Sequence, residues 1–181
     1  AARKVIKEPF AVVNADDFYG AEAFKLSADF LSKTADMPND YCMVAYRIDK
    51  TLSKFGSVSR GICTVDENGM LVNIVENLEL KRCEDGKIRD GDDVYPDDTP
   101  VSMNMFGFKL SYIDLLEAEF PTFLKSAAGN PKAEYQMPTA LGKFLRAGMV
   151  SVKVMRTSSS WFGITSRGDR EEVAAHLATL K

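Results

Sequence analysis

"PFAVVNADDFYGAEAF", Pro9 to Phe24, decides the fold. Phe10 to Val13 is a short apolar run rich in β-branched residues and without alternation, the pattern of a strand buried on both faces. It ends in Asn14-Ala15-Asp16-Asp17, and Gly20 opens onto Ala21 to Lys33. There Ala23, Leu26 and Phe30 fall on one helical line and Phe24, Ala28 and Leu31 on the adjacent one, a wide core-facing stripe. After the loop Met37 to Asp40, Tyr41 to Ile48 reads as a second strand. Strand, helix, strand predicts a parallel sheet with a crossover. Two adjacent carboxylates at a strand mouth repel each other and give up hydration. In open α/β sheets ligands gather beyond the carboxyl ends of the strands, and Mg²⁺ prefers one or two carboxylates plus phosphate oxygens and water. Equally, Asp16 or Asp17 is a helix cap and nothing more, since strand-to-helix turns commonly hold Asp. The residues alone leave both readings open. A phosphatase with an Asp nucleophile fits poorly, because the acids are adjacent and followed by Phe18-Tyr19-Gly20.

Outward from this unit, Val58 to Val65 and Met70 to Glu76 flank Asp66 to Gly69, whose Asn68-Gly69 pair predicts a β-hairpin. Glu84 to Asp98 is acidic and poor in apolar residues, an exposed loop with room for a small hairpin. Val101 to Leu110 is another strand, interrupted by Asn104 and Gly107. Ser111 and Asp114 resemble a helix start, with helical spacing up to Pro121. A further helix is expected from about Pro138 to Ala147, ended by Gly148, then a strand from Met149 to Met155. Asp169 and Glu172 form a capping-box-like start to a last helix carrying Val173, Leu177 and Leu180. With no internal repeat or Pro-rich linker, residues 1–181 read as a single α/β domain with a mixed sheet.

The bulk composition narrows the classes. Hydrophobic residues are 45% and charged residues 27% of the chain, ordinary for a soluble globular protein. The net charge of -3, with bases scattered beside acids, argues against non-specific nucleic-acid binding. No apolar run reaches membrane-spanning length, and no signal-peptide pattern is present. Cys42, Cys63 and Cys83 lack CxxC spacing and read as buried thiols of a reducing compartment, which places the protein in the cytoplasm. His176, the single histidine, lies in the last helix and receives no role.

"AVVNADDFYG" resembles the strand-end motif of the sugar-phosphate nucleotidyltransferases, the nucleotide-sugar pyrophosphorylases, and in particular their uridylyl- and thymidylyltransferase-like branch. "GSVSRGICTVDENGMLVNIVE", "VSMNMFGF", "KAEYQMP" and "WFGIT" follow in the same order, so the similarity covers essentially the whole chain. It implies a three-layer nucleotide-diphosphosugar transferase (GT-A-like) fold with a central mixed sheet and an appended hairpin. It also implies a reaction in which an NTP, UTP or dTTP, and a sugar 1-phosphate give a nucleotide-sugar and pyrophosphate, with Mg²⁺ as cofactor. A sugar-phosphate oxygen attacks the α-phosphorus, and the protein supplies positioning and charge neutralisation rather than a nucleophile.

By the same resemblance Asp16 is the Mg²⁺-binding and catalytic carboxylate, and Asp17 a neighbour that orients water or caps the helix. Asn14 sits in the substrate-facing motif, Gly61 lies against the sugar, Glu76 accepts hydrogen bonds from its hydroxyls, and Asn104 faces it from a strand. Three departures stand out. Asn77-Leu78 follow the glutamate where common members have Lys-Pro, whose lysine meets the sugar phosphate. Phe162-Gly163 follow Trp161 where many members place a second metal-binding Asp. The glycine-rich loop with Arg and Lys that grips the triphosphate has no counterpart here. The chain therefore reads as the sugar-binding, C-terminal portion of such a domain, inactive by itself. Lacking covering elements, its strand Phe10 to Val13 is expected to leave an apolar edge through which copies associate. A non-catalytic sugar-phosphate or nucleotide-sugar binding domain and a metal-dependent glycosyltransferase are the alternative readings.

Overall fold

The computed structural model describes residues 2–54, 56–163, 173–175 and 178. Its elements run β1 (Phe10–Val12), β2 (Asp17–Phe18), α1 (Ala21–Lys33), β3 (Asp40–Arg47), β4 (Val58–Val65), β5 (Leu71–Arg82), β6 (Ile88–Asp90), β7 (Asp93–Tyr95), β8 (Pro100–Phe108), α2 (Leu110–Ser126), α3 (Met137–Arg146), β9 (Ser151–Arg156) and β10 (Phe162–Gly163). The main sheet has the order β7-β6-β5-β4-β8-β3-β9, and β1 also pairs with β8. β3 and β9 are parallel, while β8 is antiparallel to β1, β3 and β4, so the sheet is mixed.

Side-chain alternation splits the core into two faces. Tyr41, Met43, Phe106 and Phe108 pack with Tyr112 of α2 and with Leu141 and Phe144 of α3. Val44, Tyr46, Met103 and Met105 pack on the other face with Tyr19, Ala23 of α1 and Trp161. Three layers result, as expected from the resemblance. β3 is buried along six consecutive residues, Tyr41 to Tyr46, which is why its sequence shows no polar alternation.

Several sequence expectations change in detail. β1 and β3 are not sheet neighbours; β8 lies between them, because its apolar Phe106-Gly107-Phe108 end pairs with both. On α1 the buried line is Ala23, Ser27 and Leu31, and Phe24 remains exposed. The cause is close approach to the sheet: a Cβ on Gly107 would lie 2.8 Å from Ser27 Oγ and 2.5 Å from Cys42 Sγ. The absence of a side chain at 107 lets Ser27 and the tip of Leu31 close onto the strand there. α2 starts at Leu110 and continues through Pro121 to Ser126. Ser111 does not cap it; its hydroxyl bonds to Pro38 O and Tyr41 Oη. The backbone bond lost at Pro121 is offset by Phe120 and Phe123 packing on Tyr135 at ring-centroid distances of 5.3 and 4.9 Å. α3 closes as expected at Gly148, with Met149 N–H donating to Phe144 O. β5 runs six residues beyond Glu76, to Arg82, where buried Leu80 meets Ile88 of the small β6–β7 hairpin. Cys42, Cys63 and Cys83 are free, and burial pushes the thiol of Cys42 up to about 11 and that of Cys63 up to about 12. No helix among the described residues is long and apolar enough to cross a membrane. Asp169, Glu172 and His176 lie outside the described residues.

A carboxylate bonded to hydroxyl and amide donors ties α1 to the segment that carries Trp161. Glu22 accepts hydrogen bonds from Thr157 Oγ1 at 2.6 Å, Ser158 N–H at 2.8 Å and Ser158 Oγ at 2.9 Å. These donors, Thr157 first, hold the Glu22 carboxyl down at about 2, against an ordinary 4.5. A folded-state value below the unfolded one gives stability that is complete above pH 4.5 and is lost as pH falls toward 2. Urea melts of wild type and Glu22→Gln are expected to differ at neutral pH and to converge across that window. A gap that persists unchanged below it would refute the linkage.

Candidate functional site: a cleft at the strand ends

The Asn14 to Asp17 turn is held from within. Asp17 Oδ2 accepts from Asn14 Nδ2 at 2.9 Å and from Tyr19 Oη at 3.2 Å. Tyr19 is itself buried, accepts from Asn14 N–H at 3.0 Å and lies 2.8 Å from Met103 O. β2 is pinned by pairing with β10, Asp17 opposite Gly163. The helix-cap reading fails for both acids: Gly20 is the N-cap of α1, and no side chain caps it. Asp17 organises the turn, which leaves Asp16 exposed at the lip of a cavity of about 260 Å³.

That cavity brings together Asn14, Asp16, Gly61, Glu76 and Asn104, residues scattered over the chain. Gly61 of β4 faces Glu76 of β5 and Ser102 of β8. A Cβ at 61 would lie 2.8 Å from Ile74 Cγ2 and 3.4 Å from Glu76 Oε2, so the glycine leaves Glu76 room to lean over the strand. Glu76 thus sits in the middle of β5 rather than at its end. Partial enclosure by these walls pushes its carboxyl above the ordinary value, and Arg60 pulls it the other way. Asn104 has a φ of 60°, a left-handed conformation that a non-glycine residue adopts only when its surroundings impose it. β8 continues through this residue, but the pairing with β3 shifts register there, between Met43 and Ala45.

Sequence reasoning missed Arg60, Ser102 and Trp161, which also line the cavity. The Arg60 guanidinium lies over the Trp161 ring at 4.9 Å and is drawn down to about 10 by burial, so it stays cationic at neutral pH. Arg60 stands beside Gly61 and Trp161 opens "WFGIT", so adjacency to the motifs of the resemblance was the only available signal. Where an aspartate was looked for after Trp161, Gly163 makes space for another one: a Cβ there would lie 2.6 Å from Asp17 Oδ1. A larger cleft of about 640 Å³ continues past Asn14, Glu76 and Asn104 to Asn73, Gln136 and Thr139.

The fold has counterparts among solved structures. The structure of CMP:2-keto-3-deoxy-manno-octonic acid synthetase complexed with CTP matches at a TM-score of 0.58 and 10% identity, over 99% of this chain and 66% of that one. The inositol-1-phosphate CTP transferase from T. maritima matches at 0.57 and 15% identity, over 93% and 54%. CTP:phosphocholine cytidylyltransferase from Streptococcus pneumoniae matches at 0.55 and 9%, over 92% and 57%. The chain shares its fold with these three transferases. This chain spans between about half and two thirds of the length of these structures. No protein-family model and no curated protein matches the sequence.

The donor set at the cavity is hard oxygen: the Asp16 carboxylate at the rim and the Asp17 carboxylate beside it. Among the described residues no cluster of three or more His, Cys, Asp and Glu side chains could hold a metal unaided. Carboxylates are the donor type that Mg²⁺ takes, one or two at a time, with phosphate oxygens and water completing its shell.

Proposed function

We propose that this chain forms the sugar-phosphate-binding part of an enzyme that transfers a nucleotidyl group from UTP or dTTP to a sugar 1-phosphate, releasing pyrophosphate. The observation that carries the reading is the convergence of Asn14, Asp16, Gly61, Glu76 and Asn104 on one cavity at a strand end. In this reading Glu76 and Asn104 hold the sugar hydroxyls, and Gly61 lets the ring lie against β4. Asp16 contributes a ligand to Mg²⁺, which would supply charge neutralisation for the phosphate oxygens. The residues' work is orientation: the sugar-phosphate oxygen is presented to the α-phosphorus, and pyrophosphate leaves from the opposite side. A binding domain without chemistry is the second reading, favoured by Gly163 and by Asn77-Leu78, which stand where metal and phosphate contacts were looked for.

Calorimetric titration with glucose 1-phosphate and related hexose 1-phosphates, with and without Mg²⁺, tests the reading. Binding that Mg²⁺ strengthens is expected, and failure of every hexose 1-phosphate to bind would sink it. Incorporation of radioactive pyrophosphate into NTP from added nucleotide-sugar, read on this chain together with a triphosphate-binding segment, separates the enzyme from the binding domain. Glu76→Gln is expected to weaken sugar-phosphate binding roughly tenfold or more, because hydrogen bonds to a charged acceptor are the stronger kind. Since the folded state holds the Glu76 proton more tightly than the unfolded chain, the ionised carboxylate costs stability at neutral pH, a cost that vanishes as pH falls. The variant should therefore melt no lower than wild type at pH 7, and wild-type binding should decline as pH drops through the raised value. Equal affinity of the two proteins would remove Glu76 from the site.

A further inference from the structure

Among the residues lining the 260 Å³ cavity, Asp16, Asp17 and Glu76 are acids and Arg60 is the one cation. Arg60 is 8% exposed, an expensive place for a charge without a direct carboxylate partner. An arginine has five N–H donors. Arg60 Nε and Nη2 both donate to Thr51 O, and Nη1 donates to Ser59 O. One N–H on each terminal nitrogen is left without an acceptor among the described residues. Trp161, also 8% exposed and stacked under the guanidinium, has an Nε1–H with no partner either. This wall therefore carries more donor hydrogens than acceptors, together with a full positive charge. The acids that act on the guanidinium are Asp17 and Glu76, which line the same cavity.

We infer that Arg60 receives the phosphoryl group of the acceptor substrate, its two unclaimed N–H groups binding phosphate oxygens as a fork and Trp161 backing it. The inference rests on the sugar-phosphate reading of the site and names the residue that reads the phosphate. A phosphate entering beside Asp16, Asp17 and Glu76 meets repulsion that only a cation relieves. Backbone carbonyls of Thr51 and Ser59 fix the guanidinium without neutralising it, which suits a planar bidentate donor better than a lysine.

Trp161 is the only tryptophan of the chain, so both its fluorescence and its single indole N–H resonance report on this wall. Glucose 1-phosphate and inorganic phosphate are each expected to change the emission and to shift the Arg60 side-chain and Trp161 indole ¹⁵N–¹H signals, whereas glucose leaves them in place. Arg60→Lys and Arg60→Met should bind glucose 1-phosphate at least roughly tenfold more weakly, the lysine losing the fork although it keeps the charge. Wild-type affinity in either variant would overturn the assignment. Should both variants fail to fold, the wild-type spectra decide: unmoved Arg60 signals with saturating glucose 1-phosphate overturn it. A response to inorganic phosphate without one to any hexose 1-phosphate would uphold the anion site and refute the sugar reading, so the two failures are distinguishable.

Discussion

Asp16→Asn is expected to lower Mn²⁺ affinity, read by electron paramagnetic resonance in the presence of glucose 1-phosphate, by at least about tenfold, and to lower nucleotidyl transfer by roughly 10²–10³-fold where transfer is measured, the usual loss on removing one charge-stabilising group. The substitution keeps the shape of the side chain and removes its charge. Asp16 is exposed and makes no hydrogen bond or ion pair among the described residues, so the fold has nothing to lose at that position. Its stability should change by no more than an ordinary surface substitution does, about 0.5 kcal/mol. Asp17→Asn is the informative contrast. Asp17 accepts from Asn14 and Tyr19 and faces Gly163, so its replacement disturbs the turn as well as the charge. A variant at 16 that binds Mn²⁺ like wild type would remove the metal site from the strand mouth and, with it, the main support for phosphoryl chemistry.

For stability the largest loss is expected from Phe108→Ala, about 3–5 kcal/mol. Phe108 is fully buried at the end of β8, where its ring stacks on Tyr112 at 3.8 Å and meets Tyr41 edge-on at 5.3 Å. Phe106 and Phe10 complete the cluster at 5.7 and 6.0 Å. The ring therefore joins β1, β3, β8 and α2, and truncation leaves a cavity that four separate elements would have to move to fill. For a chain of this size such a loss lowers the melting temperature by roughly 6–20 °C. It also removes a large part of the 5–15 kcal/mol that a domain commonly has. Phe108→Leu, which keeps most of the volume, should cost clearly less. If alanine costs under 1 kcal/mol by urea titration, the aromatic cluster is not what anchors β8. Because β8 carries Ser102 and Asn104, the alanine variant should also bind sugar phosphate normally in the cold and lose binding earlier on warming.

Much of the layer structure was legible because the signals are local. The bounds of α1 agree with the apolar spacing between Gly20 and Lys33, and the β4–β5 hairpin turns through Asp66 to Gly69 as expected, although only Gly69 of the Asn-Gly pair takes a positive φ. Tyr41 to Ile48 was legible as a strand, but the run read as buried on both faces was Phe10 to Val13, and β1 is half exposed while β3 is the strand buried along its length. Local signals misled where a distant partner overrode them. Pro121 is a helix breaker by propensity, yet α2 continues past it under the packing of Tyr135. Phe24 looked like a core residue by spacing, yet the tight contact at Gly107 turns the helix so that Ser27 faces inward. Asp17 looked like a helix cap, yet its carboxylate is claimed by Asn14 and Tyr19.

By itself the sequence determined the alternation of strands and helices, the hairpin, and the residue types gathered at the strand mouth, since side-chain period and turn chemistry are properties of neighbouring residues. Tertiary structure alone decided that β8 enters between β1 and β3, that Glu76 lies opposite Gly61, and that Arg60 and Trp161 form one wall with Asp17. Those contacts join segments far apart along the chain. Which pairs form depends on how all the buried surfaces close together, a quantity no short window contains.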